Sequence, residues 1–191
     1  LYAAHSQGQF PRGSEAQLPS VASLHKNLGM MLLLVGQFSE GWSEYEWRWQ
    51  APDFPQRPWP QPLWDGSPLE GRTLVLRCEQ GLGDSLQFVR YAALVKQRGG
   101  TVVLACPRRL SALLGTSRGV DRVIADDEPL GAIDFQIPLL SLPRVLGTEL
   151  ASVPADVPYL SARGDLIERW AGALRTDDRL RVGIGWQGNP T

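Results

Sequence analysis

The order of apolar and polar positions between residues 73 and 186 predicts strands that alternate with helices. Short apolar runs rich in β-branched residues are typical of buried strands, and amphipathic stretches separate them. Within 85–98, Leu86, Val89 and Ala93 fall on one helix face. The predicted strands are 73–78, 101–106, 120–125, 135–137 and 181–186, and the predicted helices are 85–98, 107–114, 139–146 and 165–174.

This alternation predicts an α/β fold built on a Rossmann-like parallel sheet. Strands joined by helical crossovers pair in parallel, and the crossovers cover both faces of the sheet. Gly99-Gly100 is placed to end the first helix, and Pro107 is placed to begin the second. We expect this domain to span residues 73–180.

Residues 1–50 are predicted to be helical, and they contain an internal similarity. Gly8-Gln9-Phe10 recurs as Gly36-Gln37-Phe38, 28 residues later, whereas a tetratricopeptide repeat advances by about 34 residues. Two interpretations stay open: the end of a tetratricopeptide repeat array, or a single helical hairpin without repeat ancestry. The residues that match the repeat spacing are Leu28, Gly29, Leu32, Gly36, Gly41 and Tyr45.

Residues 51–72 have the composition of a linker. Their prolines exclude a long helix and a central strand. The nearby tryptophans offer flat apolar faces, which either stack on sugar rings or clamp the linker onto a neighbouring domain; we favour the clamp. The prolines are Pro52, Pro55, Pro58, Pro60, Pro62 and Pro68, and the tryptophans are Trp42, Trp47, Trp49, Trp59 and Trp64.

Charge and composition narrow the classes of partner. The net charge of −1 gives no field that would attract nucleic acid or a membrane surface, and no apolar run is long enough for a transmembrane segment.

Two cysteines, Cys78 and Cys106, each end a predicted strand. So few thiols indicate reduced core residues, and we expect a cytoplasmic protein.

A glycine turn follows the first predicted strand and carries carboxylates. Residues 79–84 read Glu-Gln-Gly-Leu-Gly-Asp, at the carboxyl edge of the sheet, where α/β proteins bind ligands. A dinucleotide fingerprint would need glycine or alanine where Leu86 stands, so an NAD-dependent oxidoreductase is disfavoured. The simpler alternative is a tight turn in which Asp84 or Ser85 caps the following helix.

The candidate chemistry rests on carboxylates, because His5 and His25 both lie in the helical region. No histidine is therefore at hand to activate Cys78 or Cys106 as a nucleophile. Arg77 and Arg90 are candidates for orienting an anion, with ordinary structural roles as the alternative. Asp126-Asp127-Glu128 has metal-ligand chemistry but fits a solvated turn better, so no metal site is predicted.

Several motifs together resemble bacterial tetratricopeptide-repeat proteins with a fused glycosyltransferase domain of the heptosyltransferase group, glycosyltransferase family 9. The resemblance covers roughly residues 26–191. The motifs are Gly36-Gln37-Phe38 with Gly41-Trp42, Tyr45-Glu46-Trp47-Arg48-Trp49, Leu63-Trp64-Asp65-Gly66, Glu79-Gln80-Gly81-Leu82-Gly83-Asp84, Phe88-Val89-Arg90-Tyr91, Leu140-Ser141-Leu142-Pro143, Pro154-Ala155-Asp156-Val157-Pro158-Tyr159 and Gly185-Trp186-Gln187-Gly188-Asn189-Pro190.

The resemblance implies the N-terminal, acceptor-binding half of a GT-B fold. Asp84 would be the catalytic base of an inverting, metal-independent transfer, which needs no cofactor beyond a nucleotide-sugar donor as co-substrate. Residues 181–191 would begin a truncated donor-binding domain, so the fragment alone is expected to be inactive. The substrate-binding residues implied are Glu79, Gln80, Gly81, Gly83, Trp186 and Asn189.

The acceptor would be a glycan or a protein, and the helical repeats would offer a surface to a protein partner. The alternative function is a non-catalytic tetratricopeptide-repeat scaffold with a degenerate α/β domain.

Overall fold

A computed structural model describes residues 20–54, 59–126, 128–174 and 182–184. It is an α/β structure in which a helical hairpin precedes a four-stranded sheet. The helices are α1 (Val21–Leu34), α2 (Phe38–Tyr45), α3 (Leu82–Phe88), α4 (Ala92–Lys96), α5 (Arg108–Leu114), α6 (Leu142–Val145) and α7 (Gly164–Ala173). The strands are β1 (Thr73–Arg77), β2 (Thr101–Cys106), β3 (Arg122–Ala125) and β4 (Phe135–Pro138), and 3₁₀ turns occupy Glu46–Gln50, Val89–Tyr91, Leu139–Ser141 and Leu150–Ser152.

The sheet has the order β3-β2-β1-β4, and all its pairings are parallel. This order is that of the first four strands of a Rossmann fold, so the predicted α/β class with a Rossmann-like parallel sheet is confirmed. Leu74 pairs with Val102 on one side and with Phe135 on the other, which places β1 in the interior of the sheet. The carboxyl ends of the strands therefore meet at one edge.

Helices cover one face of the sheet, and loops cover the other. Side chains such as Leu76 and Leu104 are fully buried on the first face, against residues of α4, α5 and α6. The second face buries Val75 and Val103 against Trp59 and the loop after β3, with no helix of the described chain in that cluster. The expected cover on both faces is present, but the connection from β3 to β4 covers its face without a helix.

The helix after β1 differs from its prediction. The sequence predicts one helix over 85–98, with Asp84 or Ser85 as its N-cap in the simpler of two interpretations, but α3 starts at Leu82 and its N-cap is Gly81. Asp84 is the third residue of α3, inside the first turn, where its Oδ2 accepts a hydrogen bond from the Gly81 amide at 2.9 Å. A 3₁₀ turn at Val89–Tyr91 separates α3 from α4, so the crossover from β1 to β2 consists of three short helical segments.

The helical hairpin packs closely through its glycines. Gly36, with φ +84°, makes the turn between α1 and α2. A Cβ atom at Gly29 would lie 2.5 Å from the Tyr45 amide nitrogen, so only glycine permits this approach. These observations establish a hairpin; its origin as a tetratricopeptide repeat stays a prediction.

The proline-rich segment runs along the edge of the sheet. Trp64 is buried in the core, its amide donates to the Gln136 carbonyl at 3.0 Å, and its indole nitrogen donates to the Ser67 carbonyl at 2.9 Å. Trp64 therefore anchors the segment to the α/β part, as a clamp does.

Two further features concern the end of the chain and membranes. Val182–Ile184 forms no strand, and the rest of the predicted strand 181–186 lies outside the described residues. Among the described helices, none has the length and apolar character needed to cross a bilayer.

Candidate functional site

A cleft of about 320 Å³ opens at the carboxyl edge of the sheet, and we call it the sheet-edge cleft. Its floor comes from the residues that end β1 and follow it, and its sides come from the starts of α3 and α5 and from the loop after β3. The hairpin side supplies two aromatic side chains. The lining residues are Trp49, Phe54, Arg77, Cys78, Glu79, Gln80, Ser85, Pro107 and Asp126.

A buried guanidinium fixes one wall of the cleft. Arg48, in the 3₁₀ turn after α2, is completely buried, and it donates to the Glu79 carboxylate from Nε at 3.2 Å and from Nη2 at 2.9 Å. It also donates to the Glu46 carboxylate at 2.7 Å and to the Ser141 hydroxyl at 2.8 Å. Burial lowers the pKa of Arg48, but the two carboxylates raise it by more. The guanidinium is therefore a permanent cation that ties the hairpin to the sheet.

Glu79, a predicted substrate contact, is the counterion of Arg48. Its Oε1 also accepts the Leu140 amide at 3.1 Å, so both carboxylate oxygens are already hydrogen-bonded. Burial raises the pKa of Glu79, and Arg48 partly opposes that shift. Glu79 borders the cleft, but its carboxylate holds the wall in place.

Gln80, also a predicted contact, lies at the mouth of the cleft. Its backbone has φ +59°, an uncommon left-handed conformation for a residue other than glycine. Its side-chain amide donates to the Tyr45 hydroxyl at 2.7 Å. This bond ties the β1–α3 loop to the hairpin.

The remaining predicted residues of the turn lie beside the cleft and do not line it. Asp84 accepts the Gly81 amide, and Gly83 is exposed with open space around the position of a Cβ atom. Trp186 and Asn189 lie outside the described residues. The structure thus brings Glu79 and Gln80 into the cleft wall and leaves the predicted base, Asp84, just outside it.

Arg77 is the cationic side chain of the cleft that has no carboxylate partner within 4 Å in the described part of the chain. Its Nε donates to the side chain of Gln136 at 2.7 Å, and its guanidinium carbon lies 4.9 Å from the ring centre of Trp59 and 5.6 Å from that of Trp49. The pKa of Arg77 is lowered to about 10, chiefly by burial and also by Arg48, while Glu79 acts in the opposite direction. Arg90, the other candidate, instead stacks on Tyr159 and donates to backbone carbonyls.

The two thiols lie at the carboxyl ends of neighbouring strands: Cys78 directly follows β1, and Cys106 is the last residue of β2. Cys78 lines the cleft, and Cys106 is buried in the core. The contact with Cys106, and then burial, raise the pKa of Cys78. Cys78 therefore stays a thiol at neutral pH, whereas the same contact lowers the pKa of Cys106 to about 7.

Asp126 brings a carboxylate to the cleft from the loop after β3. Its neighbour Asp127 lies outside the described residues, and the described residues contain no group of three metal-ligating side chains. Asp126 is thus a single acceptor at the edge of the sheet.

Sequence reasoning missed the roles of Arg48 and Gln136. Arg48 pairs with a residue 31 positions away, and no local spacing signals that contact. Gln136 did carry a signal, since it is a polar residue inside an apolar strand and must find a partner when buried.

Comparisons with known proteins give one partial match. The chain is 38% identical over 88 residues to Protein FlbA of Caulobacter vibrioides. The match covers 44% of this chain and 15% of FlbA, so the chain spans a small part of that protein's length. No family model matches the chain, and no solved structure matches it.

Proposed function

We propose that this chain forms the acceptor-binding half of a glycosyltransferase-like protein. In the proposed reaction a base takes the proton of an acceptor hydroxyl, and the oxygen attacks the anomeric carbon of a nucleotide sugar. The bond from that carbon to the diphosphate breaks, and the nucleoside diphosphate leaves with the electron pair. The transfer inverts the anomeric centre and uses no metal.

The sheet-edge cleft is the observation that supports this proposal. It lies where Rossmann-like domains bind ligands, and its volume of about 320 Å³ is at the lower end of the usual range for small-molecule sites. Trp49 and Phe54 bring aromatic side chains to the lining, and residues of this type commonly border sugar sites. Gln80 and Asp126 supply polar groups of the kind that bind hydroxyls.

Two carboxylates are candidates for the base. Asp84 is implied by the family resemblance, and its Oδ1 has no hydrogen-bond partner in the described part of the chain, although its Oδ2 holds the Gly81 amide. Asp126 lines the cleft directly. We propose Asp84 as the base, with Asp126 as the competitor that the test must separate from it.

The test measures consumption of UDP-, GDP- and ADP-sugars by the protein that contains this chain. Asp84→Asn and Asp126→Asn are compared with Asp156→Asn, which removes an exposed carboxylate outside the cleft. Loss of the base should reduce turnover about 100- to 10,000-fold while the fold is kept. Loss of turnover in Asp126→Asn alone would move the base to Asp126, and no consumption of any donor by the unaltered protein would reject the proposal.

A protein-interaction scaffold is the second candidate function, and α1 favours it. Five apolar side chains at alternating spacings of three and four residues are between 47% and 66% exposed. Such a stripe is the pattern by which helices pack on one another. The residues are Val21, Leu24, Leu28, Met31 and Val35.

Sedimentation of the protein at rising concentration tests this second candidate. Self-association that Leu24→Glu abolishes, without donor consumption by either protein, would support the scaffold. Monomeric behaviour at all concentrations would count against α1 as a surface for self-association.

A further inference from the structure

The side chain of Arg77 lines the sheet-edge cleft. Its Nε is held by Gln136 at 2.7 Å, and two indole rings lie within 6 Å of its central carbon. Neither Nη atom has a hydrogen-bond partner among the residues that the structure describes. An arginine edge of this kind matches two oxygens of a carboxylate or phosphate, because its parallel N–H groups form a fixed fork.

The charges around Arg77 leave it incompletely neutralised. Glu79 is the carboxylate that acts on Arg77 most strongly, but it is bound to Arg48 by two hydrogen bonds. Arg48 in turn repels Arg77. A partly desolvated cation without its own counterion costs free energy, and a bound oxyanion would recover it.

The other cleft residues define what the oxyanion is attached to. Asp126 accepts hydrogen bonds and repels a second negative charge, so it suits hydroxyl groups. Trp49 and Phe54 add aromatic surface to the lining, which favours a ligand that contains a ring. These requirements together describe a ring that carries hydroxyls and one anionic group.

We infer that the sheet-edge cleft binds an anionic sugar, whose carboxylate or phosphate is held by the two Nη groups of Arg77. The sugar part of this inference rests on the proposed function. Gln136 is a positioning residue, since its hydrogen bond to Nε sets the plane of the guanidinium. The oxyanion contact itself does not depend on whether a sugar is transferred.

Calorimetric titration of the protein tests the inference with four probes: glucose 6-phosphate, glucuronate, glucose and inorganic phosphate. At least one anionic sugar should bind about 10- to 100-fold more tightly than glucose, which is the worth of a hydrogen-bonded charge pair. Comparison of the two anionic sugars decides between phosphate and carboxylate. Inorganic phosphate alone should bind more weakly than the preferred sugar, because it lacks the ring and hydroxyls.

Arg77→Met should remove the preference for the anionic sugar, and Arg77→Lys should retain only part of it because lysine lacks the fork. Arg98→Met is the matched control, since it removes an exposed arginine that lies outside the cleft lining. Far-ultraviolet circular dichroism verifies that each variant folds. If Arg77→Met does not fold, the comparison of Arg77→Lys with the unaltered protein decides the test.

Equal affinity for glucose and both anionic sugars would overturn the inference, and so would a preference that survives Arg77→Met. Donor consumption is measured separately. A preserved preference for anionic sugars without donor consumption would reject sugar transfer and keep the binding site. Donor consumption without any preference that depends on Arg77 would support sugar transfer and reject the binding of an anionic sugar by Arg77.

Discussion

Arg48 is the residue on which the junction between the hairpin and the sheet depends most. It is completely buried, and it bonds to two carboxylates and a hydroxyl. Arg48→Met keeps most of the side-chain volume but leaves the carboxylate of Glu79 buried without a counterion. We expect the free energy of unfolding to fall by about 3–5 kcal/mol, measured by urea denaturation.

Arg109→Met is the control for that experiment. Arg109 is exposed on α5, so its loss should change the free energy of unfolding by no more than about 0.5 kcal/mol. A loss below about 1 kcal/mol in Arg48→Met would mean that the methionine packs as well as the ion pair does.

The raised pKa of Glu79 predicts a pH dependence of stability. Burial raises this pKa above its ordinary value of 4.5, so just above that pH the folded protein still binds a proton that the unfolded chain has lost. The folded state then holds more protons than the unfolded state, and the free energy of unfolding decreases as the pH rises through this window. The contribution of Glu79 is most favourable at acidic pH.

Urea denaturation of the unaltered protein and Glu79→Gln, from about pH 4 to pH 7, measures this contribution. The unfolding free energy of the unaltered protein minus that of Glu79→Gln should decrease as the pH rises. It should level off above the folded-state pKa of Glu79. Glu70→Gln, at a side chain that is 76% exposed, should give a flat difference. If the difference for Glu79→Gln increases with pH instead, then Arg48 lowers the pKa of Glu79 by more than burial raises it.

Among the secondary-structure elements, the hairpin contact at Gly29 gives the sharpest prediction. A Cβ atom there would lie 2.5 Å from the Tyr45 amide nitrogen and 2.9 Å from the Gly41 carbonyl oxygen. Both are backbone atoms, so α2 itself would have to move away from α1. Gly29→Ala should therefore destabilise the protein by about 1–3 kcal/mol, the usual cost of overpacking.

Gly172→Ala in α7 is the matched substitution, because nothing lies within 4 Å of its Cβ position. Alanine has a higher helix propensity than glycine, so the free energy of unfolding of the Gly172→Ala protein should rise by up to about 1 kcal/mol. Thermal unfolding compares the two variants. Equal effects of the two substitutions would contradict the close approach of α1 and α2.

The strands could be predicted from the sequence because their signals are local. β2 has the bounds predicted for it, since its β-branched run stands between a glycine pair and a proline. The helix after β1 could not be bounded, because Asp84 bonds back to the Gly81 amide from inside the first turn. Its first turn therefore includes Leu82 and Gly83, which the sequence assigned to a loop.

The candidate site was predictable only in its location. Parallel strands bring their carboxyl ends together, so Glu79 and Gln80 were expected at a ligand-binding edge and do border the cleft. The chemistry of the cleft depends on contacts between distant segments, such as Arg48 with Glu79 and Arg77 with Gln136. Spacing along the chain does not encode such contacts.

At the scale of the whole molecule, the hairpin and the sheet are joined by several side-chain contacts. Trp42 packs edge-on against Phe88 at 5.9 Å between ring centres, Gln80 donates to the Tyr45 hydroxyl, and Tyr45 packs against the main core. Arg48 adds hydrogen bonds to residues on two loops of the α/β part. We therefore expect the hairpin and the sheet to unfold in one cooperative transition.

Native-state hydrogen exchange, followed on peptides from residues 26–34 and 73–78, measures the opening free energy of each part. The two values should agree to within about 1 kcal/mol, and Arg48→Met should lower both by the same amount, since one buried ion pair serves both parts. Exchange of the α1 peptide at a much lower free energy, with the β1 peptide unchanged by Arg48→Met, would contradict the prediction. In that case the hairpin would open on its own, and the wall of the cleft that carries Trp49 would open with it.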